Sequence, residues 1–257
     1  MKIQIKTPAK INLNLKVGEK REDGFHPIES VMQSISLFDT LTITLNRDEK
    51  ITLSGNNPNI PYNEKNLVYK AIQAYFEELG EMMFGVDVYI EKNIPTEAGL
   101  GGGSANAAGL LYGLNLLMNE PFTREELLKI ASKIGSDVNF CFVGGTKLCK
   151  GRGEILEDAE FVKRKVHLVK PKNFGVSTKI AYEMFDNLKE KSNIDNDLEF
   201  AIMKEFEEIE YLHNLGLQMS GSGSCFFTFD EIPNAVRCEK YDIWENLETI
   251  NFGVFEI

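Results

Sequence analysis

An α+β fold in two domains is predicted from three features of the 257-residue chain. Strand-like alternation dominates the first fifty residues, helical periods then enter without a steady β-α-β repeat, and the pattern restarts near Gly151. Residues 1–150 and 151–257 are the expected units.

Residues 2–6 and 11–15 alternate as strands, the second placing Ile11, Leu13 and Leu15 on one face and Lys10, Asn12 and Asn14 on the other. Strands over 30–37 and 40–46 complete an N-terminal sheet. A helix is predicted over 66–79, because Leu67, Ala71, Ile72, Tyr75 and Phe76 share one face. Residues 85–92 return to strand with Val86, Val88 and Ile90 inward, and a helix follows over about 104–117. Thr123 and Glu126 form a capping box for a helix over 124–134 that Gly135 ends, and a strand over 140–149 closes this half. The second half predicts a strand at 165–169, helices at 178–188 and 195–206, and strands at 217–219 and 225–229. A helix after Pro233 and a strand over 249–257 end the chain.

The hydrophobic fraction of 43% supports a substantial core. No run reaches the ~18 consecutive apolar residues of a membrane span, and the opening Met-Lys-Ile-Gln-Ile-Lys lacks the apolar stretch of a secretion signal, so a cytoplasmic protein is expected. Cys141, Cys149, Cys225 and Cys238 form no Cys-x-x-Cys pair and the three histidines are scattered, so reduced thiols rather than a zinc site are expected. A net charge of -11 argues against nucleic acid or an anionic membrane as partner, leaving small molecules, with the chain a monomer or homodimer. Lys2, Lys6, Lys10, Lys16, Lys20 and Arg21 form one basic group and Lys147, Lys150 and Arg152 another; each reads equally as a solvated surface.

Residues 95–108, Pro-Thr-Glu-Ala-Gly-Leu-Gly-Gly-Gly-Ser-Ala-Asn-Ala-Ala, put a glycine loop at the mouth of a helix. Gly99, Gly101, Gly102 and Gly103 lack a Cβ, so the backbone can take left-handed angles and approach a ligand closely. The helix adds unpaired first-turn amides and the positive end of its dipole, and phosphate is the group such a loop fits. Two common phosphate loops are excluded: a Walker loop needs lysine after its last glycine and a dinucleotide fingerprint needs a glycine at the sixth position, and Ser104 stands in both places. A plain strand-to-helix connection would avoid the backbone entropy cost of so many glycines.

Asp137, in Ile134-Gly135-Ser136-Asp137-Val138, lies just past a helix stop. A carboxylate there can take the proton of an alcohol during phosphoryl transfer, worth ~10²–10⁴ in rate. It can equally cap the next turn, and spacing does not separate the two. Lys10 with Asn12 and Asn14 lines either a polar site, where a lysine would orient an aspartate, or an exposed sheet face. Phe25 and His26 place a ring and an imidazole on a turn, for stacking and hydrogen bonding or for pinning the loop to the core. Residues 219–224, Met-Ser-Gly-Ser-Gly-Ser, read as a tight hairpin.

Pro8-Ala9-Lys10-Ile11-Asn12-Leu13, Gly99-Leu100-Gly101-Gly102-Gly103-Ser104 and Met219-Ser220-Gly221-Ser222-Gly223, in that order, resemble the GHMP kinase superfamily. More narrowly, Lys10-Ile11-Asn12-Leu13, Gly24-Phe25-His26, Asn66-Leu67-Val68, Gly135-Ser136-Asp137-Val138 and Gly151-Arg152-Gly153-Glu154 resemble the kinases of 4-diphosphocytidyl-2-C-methyl-D-erythritol, over nearly the whole chain. The resemblance implies ATP-dependent phosphorylation of the 2-hydroxyl of that cytidine-diphosphate alcohol, a step toward isoprenoid precursors outside the mevalonate route. Homoserine, mevalonate and sugar kinases of the superfamily are the alternatives within enzymes, and a nucleotide-binding sensor is the alternative outside them. Acceptors without a base give Phe25 and His26 nothing to stack, and a sensor needs no Lys10 and Asp137.

By position in the motifs, the resemblance implies Asp137 as general base with Lys10 as its partner. Pro95, Thr96, Glu97, Ala98, Gly99, Leu100, Gly101, Gly102, Gly103, Ser104 and Ala105 would cradle the ATP phosphates, and Asn66 and Lys92 would lie on the adenosine side. Asn12 and His26 would contact the acceptor, and Phe25 with Tyr182 would sandwich its cytosine. Mg2+ would accompany ATP, with Ser104 in reach of it. The implied fold is an N-terminal domain like ribosomal protein S5 domain 2 and a ferredoxin-like C-terminal domain. Three positions depart from the family pattern: Phe25 replaces a frequent tyrosine, Ala105 a second serine, and Asn139 a proline whose loss would loosen the turn carrying Asp137.

Overall fold

From Leu37 to Asn46 buried and half-buried residues alternate without a break, and the strand β3 (Ile28–Asn46) runs through both predicted segments as one. The computed structural model describes every residue except 49, 81–83, 189 and 191, and it places β3 inside an eight-stranded sheet among the described residues. β1 (Lys2–Asn12) pairs antiparallel with it, its register shifting between Pro8 and Ala9, and so joins two predicted strands. The opposite edge of β3 takes β5 (Gly85–Glu91) over residues 40–46 and β6 (Thr146–Gly151) over residues 28–33. The short strands β2 (Lys16–Val17), β4 (Ile51–Gly55) and β7 (Ile155–Asp158) have no clear sequence signal and join the same sheet.

Three helices cover this sheet. α1 (Leu67–Leu79) is capped by the Asn66 side chain on the Val68 amide, and it buries Ala71, Ile72, Tyr75 and Phe76. α2 (Gly102–Leu117) begins two residues earlier than predicted, because left-handed Gly101 serves as its N-cap. α3 (Arg124–Ile134) carries the predicted Thr123–Glu126 capping box, but Gly135 ends it in extended rather than left-handed backbone. The strand predicted over 140–149 is corrected: Val138, Phe140, Cys141 and Phe142 are buried in a short helix, α4 (Val138–Val143), before β6. Its apolar run suits either element, and packing on α2 and α3 selects the helix.

The second sheet has the order β11 (Tyr241–Glu248), β8 (Lys165–Pro171), β10 (Phe226–Thr228), β9 (Gln218–Met219), all antiparallel, which is the ferredoxin-like order. α5 (Thr178–Asp186), α6 (Asp197–Met203) and α7 (Glu207–Asn214) connect β8 to β9. The sequence reading misses α7 and β11, and the helix predicted after Pro233 is one 3₁₀ turn at Asn234–Val236. The predicted last strand shrinks to β12 (Phe255–Glu256), which returns to pair with β1 in the first sheet. The change of sheet falls between Asp158 and Lys165.

Ala9, Ile11, Ile35 and Leu37 from the first sheet meet Val166, Leu168, Cys225 and Phe227 from the second in one apolar cluster. This cluster ties the two sheets together beneath the glycine loop, through Ala98 and Leu100. Among the described residues no helix is long and apolar enough to cross a membrane. Most of the basic residues form ion pairs instead of two patches: Lys16 with Asp197, Lys20 with Asp186, Arg21 with Asp23, Lys147 with Asp158 and Lys150 with Glu157.

Close packing of α2 on β1 yields a first prediction. A Cβ on Gly109 would lie 2.2 Å from Thr7 Cγ2, so Gly109→Ala is expected to cost ~1–3 kcal/mol, read as a lower urea midpoint; an unchanged midpoint would contradict the packing. The cysteines yield a second. Burial pushes the Cys149 and Cys225 thiols up to about 12 and the Cys141 thiol higher still, while Cys238 is exposed. Iodoacetamide at pH 8 is expected to label native protein at Cys238 alone, as mass spectrometry of the digest will show.

Candidate active site

Five consecutive carbonyls of the glycine loop are engaged by the protein. The oxygens of Glu97, Ala98, Gly99, Leu100 and Gly101 accept, in turn, from the Ser224 amide, the Cys225 amide, the Ser220 hydroxyl, the Lys10 amide and the Ala105 amide. None of the amides from Thr96 to Ser104 finds an acceptor among the described residues. The first turn of α2 belongs to this row, because helix geometry leaves its amides unpaired. Gly99 and Gly101 take left-handed angles, and a Cβ on Gly99 would sit 1.9 Å from the Ser220 carbonyl oxygen. Residues 219–224 are therefore more than a tight hairpin: they clamp the loop from the carbonyl side.

Lys10 and Asn12 are buried, and the exposed-face reading of that strand does not hold. The Lys10 ammonium donates to Asn12 Oδ1 at 2.5 Å and lies 3.5 Å from Asp137 Oδ2, while Asn12 Nδ2 donates to Ser30 Oγ. Asp137 occupies the N-cap position of α4, yet its side chain makes no cap hydrogen bond and faces Lys10. The capping reading of Asp137 therefore does not hold, and its carboxylate is left beside Lys10. Asn139, where a proline was the family pattern, does not loosen this turn: its amide donates to Ser132 Oγ at 2.9 Å and to the Glu154 carbonyl, tying α4 to α3 and to the turn after β6.

At the other end of the cleft His26 is held by its Nδ1, which donates to the Gly18 carbonyl at 2.9 Å. Its Nε2 is 3.0 Å from Asp186 Oδ1 but in no hydrogen-bond geometry. Tyr182 stacks on His26 at 5.2 Å between centroids, and burial holds its phenol up at about 12, a neutral donor. Of the two rings expected around the cytosine, Phe25 is covered by the Arg152 guanidinium at 3.7 Å and Tyr182 faces His26.

One cleft of about 950 Å³ is lined by Lys10, Asn12, Phe25, His26, Asn66, Lys92, Asp137, Tyr182 and every residue from Pro95 to Ser104. Ala105 is the exception: it is wholly buried in the core and its amide closes the first bond of α2. Asn66 is spent on its own turn, accepting from Val68 and donating to the Pro61 carbonyl.

The family GHMP kinases N terminal domain matches residues 66–145. The chain is 39% identical to the 4-diphosphocytidyl-2-C-methyl-D-erythritol kinase of Clostridium tetani, over 93% of this chain and 96% of that one. It is 40% identical to the enzyme of that name from Thermoanaerobacter pseudethanolicus, over 99% and 95%. The chain belongs to the 4-diphosphocytidyl-2-C-methyl-D-erythritol kinase family. A crystal structure of a 4-(cytidine 5'-diphospho)-2C-methyl-D-erythritol kinase superposes with a TM-score of 0.76 at 29% identity, covering 98% of this chain and 100% of that one. A homoserine kinase from Cytophaga hutchinsonii reaches a TM-score of 0.75 at 18% identity, covering 100% and 97%, which reports the shared fold alone.

In this kinase the sequence reading did not assign two residues that shape the cleft, Arg152 on its wall and Asn196 behind the clamp. Arg152 stands over Phe25 from the turn after β6; its signals in the sequence were the Gly151-Arg152-Gly153-Glu154 block and the basic group with Lys147 and Lys150. Asn196, fully buried, donates to the Met219 and Gly221 carbonyls and so fixes the clamp on the glycine loop; no local signal marks it. A Cβ at Gly102 would lie 2.6 Å from Lys92 Nζ and 3.0 Å from Ile94 Cγ2. Gly102→Val is therefore expected to weaken ATP binding at least ~10-fold in calorimetric titration, by filling the face of the first turn; unchanged affinity would contradict a phosphate site here.

Proposed function

We propose that this protein transfers the terminal phosphoryl group of ATP to the 2-hydroxyl of 4-(cytidine 5'-diphospho)-2-C-methyl-D-erythritol, on the way to isoprenoid precursors outside the mevalonate route. The observation that carries this reading is the row of unpaired amides from Thr96 to Ser104 facing one cleft with Lys10 and Asp137. Unpaired amides at a helix N-terminus favour phosphate oxygens, and they need no rearrangement as charge shifts during transfer.

In the proposed step the acceptor oxygen forms its bond to the γ-phosphorus as the bond to the β,γ-bridging oxygen breaks, releasing ADP. The hydroxyl proton passes to the Asp137 carboxylate. Lys10, fixed by Asn12, holds that carboxylate in place and faces the developing charge. Because the Nδ1 hydrogen of His26 is engaged by the Gly18 carbonyl, Nε2 is the ring nitrogen left to meet the cytosine edge. Phe25 and Tyr182, both on the cleft wall with His26, offer rings for the base to stack on. A homoserine, mevalonate or sugar acceptor would leave this end of the cleft unused.

Mg2+ takes oxygen ligands and draws most of them from phosphates and water. The Ser104 hydroxyl, in the first turn of α2 and on the cleft wall, suits it as a protein ligand. The bound ion would offset phosphate charge. One chain completes the cleft, so the proposal requires no second copy and fits a monomer or a homodimer. Four free cysteines agree with a cytoplasmic location.

Incubation with ATP, Mg2+ and the cytidine-linked alcohol is expected to yield ADP and one singly phosphorylated product. Transfer to homoserine, mevalonate or a sugar, with none to the cytidine compound, would overturn the assignment. Asp137→Asn is expected to lower kcat by ~10²–10⁴ with little change in ATP affinity; near-normal turnover would remove Asp137 as the base.

A further inference from the structure

One buried carboxylate has no task in the mechanism above. Asp39, in the middle of β3, is fully shielded from solvent and accepts four hydrogen bonds. Its Oδ1 takes the amides of Asn93 at 2.7 Å and Ile94 at 2.8 Å; its Oδ2 takes the Lys92 ammonium at 2.5 Å and the Asn106 carboxamide at 2.8 Å. Asn106 also donates to Thr7 Oγ1 on β1 at 3.0 Å. A carboxylate with this many well-placed donors escapes the penalty of unpaired burial, and the donors in turn lose their freedom to move.

The two elements so immobilised border the phosphate loop. Asn93 and Ile94 lead into it, and Lys92 and Asn106 line the cleft. The Lys92 side chain is 5% exposed, and among the described residues its ammonium donates to Asp39 alone. Two of its three N–H bonds are thus left for a ligand. Its position is against the first turn of α2, 2.6 Å from where a Gly102 Cβ would be, and hence beside the unpaired amides. Burial lowers the Lys92 pKa, which Asp39 opposes.

We propose that Asp39 is a positioning residue for ATP: it aims the Lys92 ammonium at the phosphates on the first turn of α2 and pins that turn through Asn106. This places Lys92 at the phosphate end, not on the adenosine side that the motif position implies. The inference rests on the reading of the loop as the ATP site.

A double-mutant cycle, with ATP titrated calorimetrically in the absence of acceptor, separates positioning from plain structural support. Asp39→Asn is expected to weaken ATP binding ~10-fold or more while KM for the cytidine-linked alcohol stays within about twofold. In a Lys92→Ala background the same change is expected to cost less than about twofold, because the group through which it acts is gone. Unchanged ATP affinity in folded Asp39→Asn, or full additivity of the two changes, would overturn the proposal. Should Asp39→Asn fail to fold, ¹⁵N-lysine spectra of the wild-type protein decide: ATP is expected to shift the Lys92 ammonium signal, assigned by its loss in Lys92→Ala, and no shift at saturation would overturn it. Wild-type protein that binds no ATP would overturn this inference and the loop assignment together. ATP binding without transfer to the cytidine-linked alcohol would overturn only the acceptor, and the cycle would still report on Asp39.

Discussion

Everything at the cleft depends on the glycine loop having its carbonyls fixed to the protein, which forces its amides outward. A free loop of this composition would sample many conformations, and its ordering would have to come from ligand binding. Here the β1 amide of Lys10, the Ser220 hydroxyl and the amides of Ser224 and Cys225 hold it in advance. The donors come from both sheets. An anion-binding surface made in this way is therefore a property of the joined molecule rather than of the N-terminal sheet alone.

The joint itself is apolar. Side chains from β1 and β3 pack on side chains from β8 and β10, with Ala98 and Leu100 of the loop in the same cluster. Apolar burial is non-directional and supplies adhesion, while the hydrogen bonds above it supply orientation. Asn196 adds a second tier, gripping the carbonyls of the clamp from behind. Only glycine suits Gly99, where the backbone is left-handed and the clamp leaves no room for a Cβ.

A chain of net charge -11 that binds polyphosphate must concentrate positive charge locally. It does so with two buried lysines, each tethered by an oxygen acceptor: Lys10 by Asn12, with Asp137 near, and Lys92 by Asp39. A buried ammonium with no partner would cost several kcal/mol or lose its proton. The tether keeps the charge in place, and the remaining N–H bonds stay directed at the cleft.

Much of this was legible in sequence. Capping of α3, the inward faces of β5 and α1, the α+β class and the anion-loop chemistry follow from local rules of glycine, caps and periodicity, and the motif order pointed to the superfamily. The short elements were not: β2, β4, β7 and α7 carry too few residues for a period to show, and α4 has an apolar run that two elements share. Asp137 as cap or base, Lys10 as exposed or buried, and the second serine-glycine run as hairpin or clamp stayed open because each turns on a partner more than a hundred residues away. Local pattern determines which conformations a segment favours; only the packed fold determines what stands opposite it, and at this cleft the opposite side chain decides the chemistry.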